Sequence, residues 1–143
     1  MKQEVWNDLL LMRRQYSHLL EKVSYSWGLT RAEMDVLLFL ANNPTLDRAA
    51  DVVEVRGLTK SHVSIAVKAL CDRGFLETHQ DASDRRVIHL KPTAAATDVI
   101  AAGQEAQCAH IKRIFSCFTP EEMQQWLHLQ KKLFASMKNI ADD

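Results

Sequence analysis

The sequence predicts a mainly α fold with a small β ribbon, and three observations carry the prediction. Apolar residues recur at three- and four-residue spacing along most of the 143 residues. Thr30 and Thr119 each precede such a run with a glutamate three residues on, Glu33 and Glu122, which is the pattern of a capping box. One stretch departs from the helical pattern: from Gly57 to Thr93, GLTKSHVSIAVKALCDRGFLETHQDASDRRVIHLKPT reads as a short helix, a tight turn, and two strands joined by a charged tip.

The first helix is expected over Val5 to Trp27. Val5, Leu9, Met12, Tyr16, Leu19 and Val23 follow a heptad spacing, and Trp6, Leu20 and Trp27 widen that apolar face. One small domain does not cover so broad a face, so a partner helix is implied. Gly28 breaks the helix and Thr30 caps the next. The second helix, Arg31 to Ala41, is expected to bury Met34, Leu37, Leu38 and Leu40, and Asn42-Asn43-Pro44 stops it. A third helix is expected from Leu46 to Val55, with Ala49, Ala50, Val52 and Val53 inward.

Thr59 caps the fourth helix, since its hydroxyl can accept from a free amide of the first turn. Val63, Ala66, Val67 and Leu70 share its buried face. Lys60, Ser61, His62, Ser64, Ile65 and Lys68 are left outward. Gly74 ends it in a left-handed conformation. Phe75 to His79 and Val87 to Lys91 then form two strands, joined by the polar turn from Asp81 to Arg86. A helix bearing short polar side chains and lysines, beside a ribbon tipped with two arginines, suits a DNA duplex. The helix fits a major groove, and an arginine fits the adjacent minor groove, where negative potential concentrates.

From Thr93 to Phe118 a long helix is expected, alanine-rich at first and closing on Ile111, Ile114, Phe115 and Phe118. Gly103 inside it costs roughly 1 kcal/mol against alanine, which asks for a packing reason or a mild bend. Thr119-Pro120-Glu121-Glu122 opens the last helix, with proline at the first helical position. Met123, Trp126, Gln130, Leu133, Met137 and Ile140 continue it at heptad-like spacing. The first, fifth and sixth helices thus carry more apolar surface than a monomer needs, and they are read as a dimer interface.

At 47% apolar residues the chain is expected to form one domain with a substantial core. Eighteen basic residues balance eighteen acidic ones, so there is no global basic field. Between Lys60 and Lys91, however, six basic residues (Lys60, Lys68, Arg73, Arg85, Arg86, Lys91) stand against four acidic ones (Asp72, Glu77, Asp81, Asp84). That excess of two fits salt-sensitive duplex binding, not a broad non-specific coat. No apolar run approaches a membrane span, no signal peptide precedes the first helix, and three irregularly spaced cysteines make no disulfide framework. A cytoplasmic protein without membrane contact is expected.

The segments Leu58-Thr59-Lys60-Ser61-His62-Val63-Ser64, Gly74-Phe75-Leu76, Asp84-Arg85-Arg86 and Leu90-Lys91-Pro92-Thr93 resemble the multiple antibiotic resistance regulator (MarR) family of transcription factors. The D-x-R element ahead of a short strand is the most specific of them, and the order of elements matches over nearly the whole chain. The resemblance implies a winged helix-turn-helix with N- and C-terminal dimerisation helices: one domain over 1–143, in which 1–28 and 93–143 dimerise and 29–92 form the DNA-binding lobe. It also implies a homodimeric repressor on a pseudo-palindromic operator in double-stranded DNA, released by a small aromatic or anionic effector.

By the same resemblance, Arg86 matches the arginine that enters the minor groove from the wing and Asp84 the acid that orients it; Arg85 is read as a phosphate contact. Otherwise the three are a surface turn with a solvated ion pair, worth little. Thr59, Lys60, Ser61, His62, Ser64, Ile65 and Lys68 form the reading face; Ser61 and His62 can reach base edges, and Ile65 a thymine methyl. The plainer reading of that face is a solvated helix surface. Met12, Tyr16, Tyr25 and Trp27 are the expected effector pocket, against the more ordinary role of core aromatics.

Arg56 departs from the family pattern by standing where an apolar residue precedes the glycine, so Val55 is expected to turn inward in its place and the turn to lengthen or rotate. Some relatives sense zinc, but Cys108 and His110 project to different sides of a helix and His110 and Cys117 lie two turns apart; with His18 and Glu21 they are read as polar positions on dimer helices, with no metal and no cofactor. Cys71, near a helix C-terminus whose dipole disfavours a thiolate, is read as structural. The alternative function is a winged-helix module that docks protein. No carboxylate pair, activated nucleophile or phosphate loop points to an enzyme.

Overall fold

The computed structural model describes residues 2–141, so the expected domain limits at 1 and 143 lie outside the described residues. The chain divides after Gln107 into two compact units. The first holds α1 (Lys2–Ser26), α2 (Arg31–Asn42), α3 (Ala49–Arg56), α4 (Lys60–Asp72), the antiparallel pair β1 (Leu76–Gln80) and β2 (Ile88–Pro92), and the start of α5 (Thr97–Ile114). The second holds the end of α5 and α6 (Pro120–Ala141).

The core of the first unit is built around α2. Every residue from Glu33 to Leu40 is buried, so this helix is enclosed on all sides instead of showing one apolar stripe. Met34, Val36 and Leu37 are fully inaccessible, and Leu20, Val52, Val63, Leu70 and Val99 reach them from the surrounding helices. Each such side chain contributes about 1.5–3 kcal/mol of burial. The expected Met34, Leu37, Leu38 and Leu40 are all inside; Val36, Phe39 and two acids, Glu33 and Asp35, join them.

Local signals set most boundaries. The Leu29 amide bonds back to the Ser24 carbonyl at 3.0 Å while Gly28 sits at φ +62, and buried Leu29 closes the end of α1. Thr30 and Glu33 form the capping box, with amide-to-side-chain bonds of 3.2 and 3.3 Å. α3 begins at Ala49, later than the sequence suggested, because the Asp51 carboxylate accepts the Arg48 amide at 3.0 Å and so fixes the first turn there. Ala49 and Ala50 are exposed, contrary to expectation. They line an open groove of about 710 Å³ between α3, α4 and the strands.

The strands are each displaced by one residue from the expected limits. Phe75 cannot enter the ladder through its amide, which bonds to the Leu70 carbonyl in closing α4, and the Val87 amide is taken by Asp84 in the connecting turn. The ladder therefore runs from Leu76 opposite Pro92 to Gln80 opposite Ile88.

The long helix after β2 is entered and left through single 3-10 turns, Ala94–Ala96 and Phe115–Cys117. The Thr93 amide is held by the Phe75 carbonyl, which keeps Thr93 extended and delays the α-helix to Thr97. Gly103 has the packing reason its position called for: a Cβ there would lie 2.7 Å from Leu38 Cδ2. In the second unit, Phe115 meets Phe118 edge-on at 5.1 Å and Trp126 at 5.9 Å, and Thr119 and Glu122 close a capping box ahead of α6. Large apolar side chains stay exposed on α1 (Val5, Trp6, Leu9, Leu10) and, in the other unit, on α6 (Leu129, Leu133, Met137, Ile140).

Candidate nucleic-acid interface

α3 and α4 are joined by a tight three-residue turn. Gly57 takes φ +64 and its amide bonds to the Val53 carbonyl; Leu58 follows, and Thr59 caps α4 by accepting the His62 amide at 3.1 Å. Val55 does not turn inward: it is 59% exposed. Arg56 takes the inner position instead, and its charge is met there. Its guanidinium pairs with the Asp35 carboxylate, donates to the Tyr16 hydroxyl at 2.9 Å, and stacks over the Tyr16 ring at 5.5 Å. Gln107 donates to the same hydroxyl at 2.7 Å. Burial opposes the charge on Arg56, but the bonds to Tyr16 and Asp35 outweigh it and hold the group cationic.

This arrangement fixes the start of α4. Val63, Ala66 and Leu70 are buried against α2 and α3, and Thr59, Lys60, Ser61, His62, Ser64, Ile65 and Lys68 are all exposed. Ile65, 66% exposed, is an apolar tip within an otherwise polar face. Lys68 lies 2.7 Å from Asp72, and that bond raises its pKa; a phosphate at Lys68 must compete with the carboxylate. Arg73 is engaged in structure, donating to the Gly28 carbonyl at 2.7 Å with Glu33 at 3.6 Å and the Phe75 ring beneath it.

The wing turn is organised by two aspartates. Asp81 Oδ1 accepts from the Ser83 amide (2.8 Å), the Ser83 hydroxyl (2.6 Å) and the Asp84 amide (3.0 Å), an Asx-type turn. Asp84 then accepts the Arg86 amide at 3.0 Å and sits 3.5 Å from Arg86 Nε. Arg86 is 93% exposed, so this ion pair adds little stability. Arg85 is exposed beside it.

Sequence reasoning missed His89. On β2 its Nδ1 lies 2.7 Å from Asp47 and its Nε2 3.0 Å from Asp81. These bonds, to Asp47 first and Asp81 second, raise the His89 pKa; Ser83 first and His89 second hold Asp81 below the usual carboxylate range. Nothing in residue spacing signals the cluster, because Asp47 is 42 positions away.

The four residues expected to form an effector pocket are not gathered together. Tyr16 is half-buried and engaged by Arg56 and Gln107, whereas Tyr25, nine positions on and so half a turn around α1, is 88% exposed; Met12 is 56% and Trp27 39% exposed. His18 and Glu21 face each other at 3.8 Å on α1. Cys71 is half-buried, and its thiol is pushed up by burial and by Asp72. Among the described residues no helix is long and apolar enough to cross a membrane.

Residues 27–87, from the end of α1 to the wing, match the sequence model of the MarR family. No curated protein sequence matches the chain. A transcriptional regulator of Thermotoga maritima is 26% identical, with 99% of each chain covered and a TM-score of 0.65. A MarR-family regulator of Silicibacter pomeroyi is also 26% identical, over 88% of this chain and 86% of its own, at a TM-score of 0.74. BpsR of Bordetella bronchiseptica, whose DNA binding is regulated by 6-hydroxynicotinic acid, shares the fold at 19% identity and a TM-score of 0.69, over 91% of this chain and 98% of its own. With a capped α4, a two-stranded wing and this likeness along its length, the chain carries a MarR-type match over residues 27–87 and is similar in fold to winged helix-turn-helix transcriptional regulators.

Proposed function

We propose that the protein is a homodimeric, sequence-specific DNA-binding regulator that represses from a pseudo-palindromic operator and is released by a small aromatic or anionic effector. The observation that carries the reading is the contrast on α4: one face is locked into the core through Val63, Ala66 and Leu70, and the other presents Ser61, His62, Ser64, Ile65 and Lys68 to solvent. A folded unit keeps such a rigid polar helix face available for base edges. Arg86, extended at the wing tip, supplies the minor-groove contact, with Arg85 and Lys60 on phosphates. The exposed apolar side chains of α1 and of α6 support dimerisation through residues 1–28 and 93–143, with 29–92 as the DNA-binding lobe. A cytoplasmic setting accords with this role.

Two such lobes would place their α4 helices in successive major grooves about one helical turn apart. An effector acts in that scheme only through different affinities for the two lobe spacings. The aromatic acid that regulates BpsR makes hydroxylated pyridine and benzene carboxylic acids the first compounds to try.

Selection from a random duplex pool, with Arg86→Ala alongside, tests the reading. Enrichment of an inverted repeat, weakened in the variant, is the expected result. A folded dimer that enriches nothing at low salt would favour a protein-docking module, for which exposed Ile65 and the balanced charge are the supporting observations.

A further inference from the structure

His89 lies between two carboxylates that belong to different parts of the lobe. Asp47 precedes α3, and its carbonyl also accepts the Leu90 amide at 2.7 Å; Asp81 opens the wing turn. A neutral imidazole carries one N–H and can donate to one carboxylate only, whereas the imidazolium donates to both. With oxygens at 2.7 and 3.0 Å from its two nitrogens, His89 is placed to hold a second proton. Asp81 uses its other oxygen to collect Ser83 and Asp84, and Asp84 in turn aims Arg86. A chain of direct contacts therefore runs from Asp47 through His89 to the wing arginine.

We propose that His89 is a positioning residue for the wing, its imidazolium clipping Asp81 to Asp47 so that the placing of Arg86 on a duplex depends on one proton. The proposal rests on the DNA-binding reading above. Other charged groups nearby are otherwise engaged. His79, opposite His89 in the ladder, pairs with Glu77 at 3.1 Å, and Lys91 also lies 3.8 Å from Glu77. Arg48, next to Asp47, is bound by Asp51 at 3.1 Å. Among the described residues, Asp47 and Asp81 are the acids bonded to the His89 ring.

The sign follows from the two shifts. A histidine raised in the folded state contributes stability in full below its ordinary value of 6.5 and loses it as pH rises through the raised value. A lowered Asp81 contributes above its ordinary 3.8 and loses that contribution only on strong acidification. The clip is thus complete between these two ordinary values and opens on the alkaline side.

The experiment uses the full chain with the ring carbons of histidine labelled for NMR, titrated across neutral pH without DNA, and duplex affinity measured at pH 6 and 9 at fixed ionic strength. We expect His89 to titrate above a free histidine, with the Ser83, Asp84 and Arg86 amides moving at the same midpoint. Duplex affinity should fall about tenfold more in the wild type than in His89→Gln. Asp47→Asn keeps the imidazole and the wing turn but weakens one acceptor, so the His89 midpoint should drop in it; this variant also serves if His89→Gln does not fold. A midpoint at or below that of free histidine, or wing amides indifferent to it, would overturn the clip. Parallel pH profiles for wild type and Asp47→Asn would overturn its link to DNA. A chain that binds no duplex at either pH, yet shows the coupled titration, would refute the DNA-binding reading and leave the clip standing.

Discussion

Arg56→Ala isolates the cost of an acid left inside the lobe. The Asp35 side chain is 5% exposed on α2 and is paired with Arg56, itself 27% exposed. Removing one member of a buried pair costs about 3–5 kcal/mol, because the survivor keeps its desolvation penalty without its counter-charge. Here Arg31 Nε remains 3.6 Å from the other Asp35 oxygen, and the Tyr16 hydroxyl keeps its bond from Gln107. The loss should therefore fall at the lower end, about 3 kcal/mol, or roughly 6–12 °C in Tm for a chain of this size. Urea denaturation at one fixed protein concentration measures it, since dimerisation would otherwise shift the midpoint. The decisive comparison is the double variant Asp35→Leu with Arg56→Ala, with Asp35→Leu alone closing the cycle. With both charges gone it should recover most of the loss, and the cycle should return a coupling of about 1–3 kcal/mol. An Arg56→Ala midpoint within error of wild type, or a double variant no more stable than the single, would refute the reasoning.

Gly103→Ala should lower Tm even though alanine favours a helix by about 1 kcal/mol, because the new methyl meets the enclosed Leu38 side chain at 2.7 Å and overpacking costs about 1–3 kcal/mol; adding Leu38→Val should restore part of the loss in the same melt. Arg86→Ala should leave Tm unchanged, weaken duplex binding to all sequences, and reduce the slope of log affinity against log salt by about one per wing. His62→Ala should relax base preference locally while retaining affinity for the rest of the selected site, and an unchanged preference in a repeat selection removes His62 from the readers.

The sequence by itself determined that the helices form, the caps of α2, α4 and α6, and the face that α4 buries. Those features depend on residues three or four positions apart: Thr30 with Glu33, Thr59 with His62, Val63 with Ala66, and Ala66 with Leu70. Such pairs meet because of the helix repeat alone, so composition and spacing reveal them. The outward set from Lys60 to Lys68 was legible for the same reason, and the Asp84–Arg86 tip because its two residues lie two positions apart in one turn. Small boundary shifts at α3 and the strands came from amides already engaged by neighbouring turns, a competition that apolar patterning does not register. Only the tertiary structure decided what became of Arg56 and His89. Asp35 and Arg56 are 21 positions apart, Tyr16 and Arg56 40, Asp47 and His89 42, and Tyr16 and Gln107 91. Those partners meet because four helices and a strand pair fold around α2, and no local periodicity encodes which charges are thereby brought together.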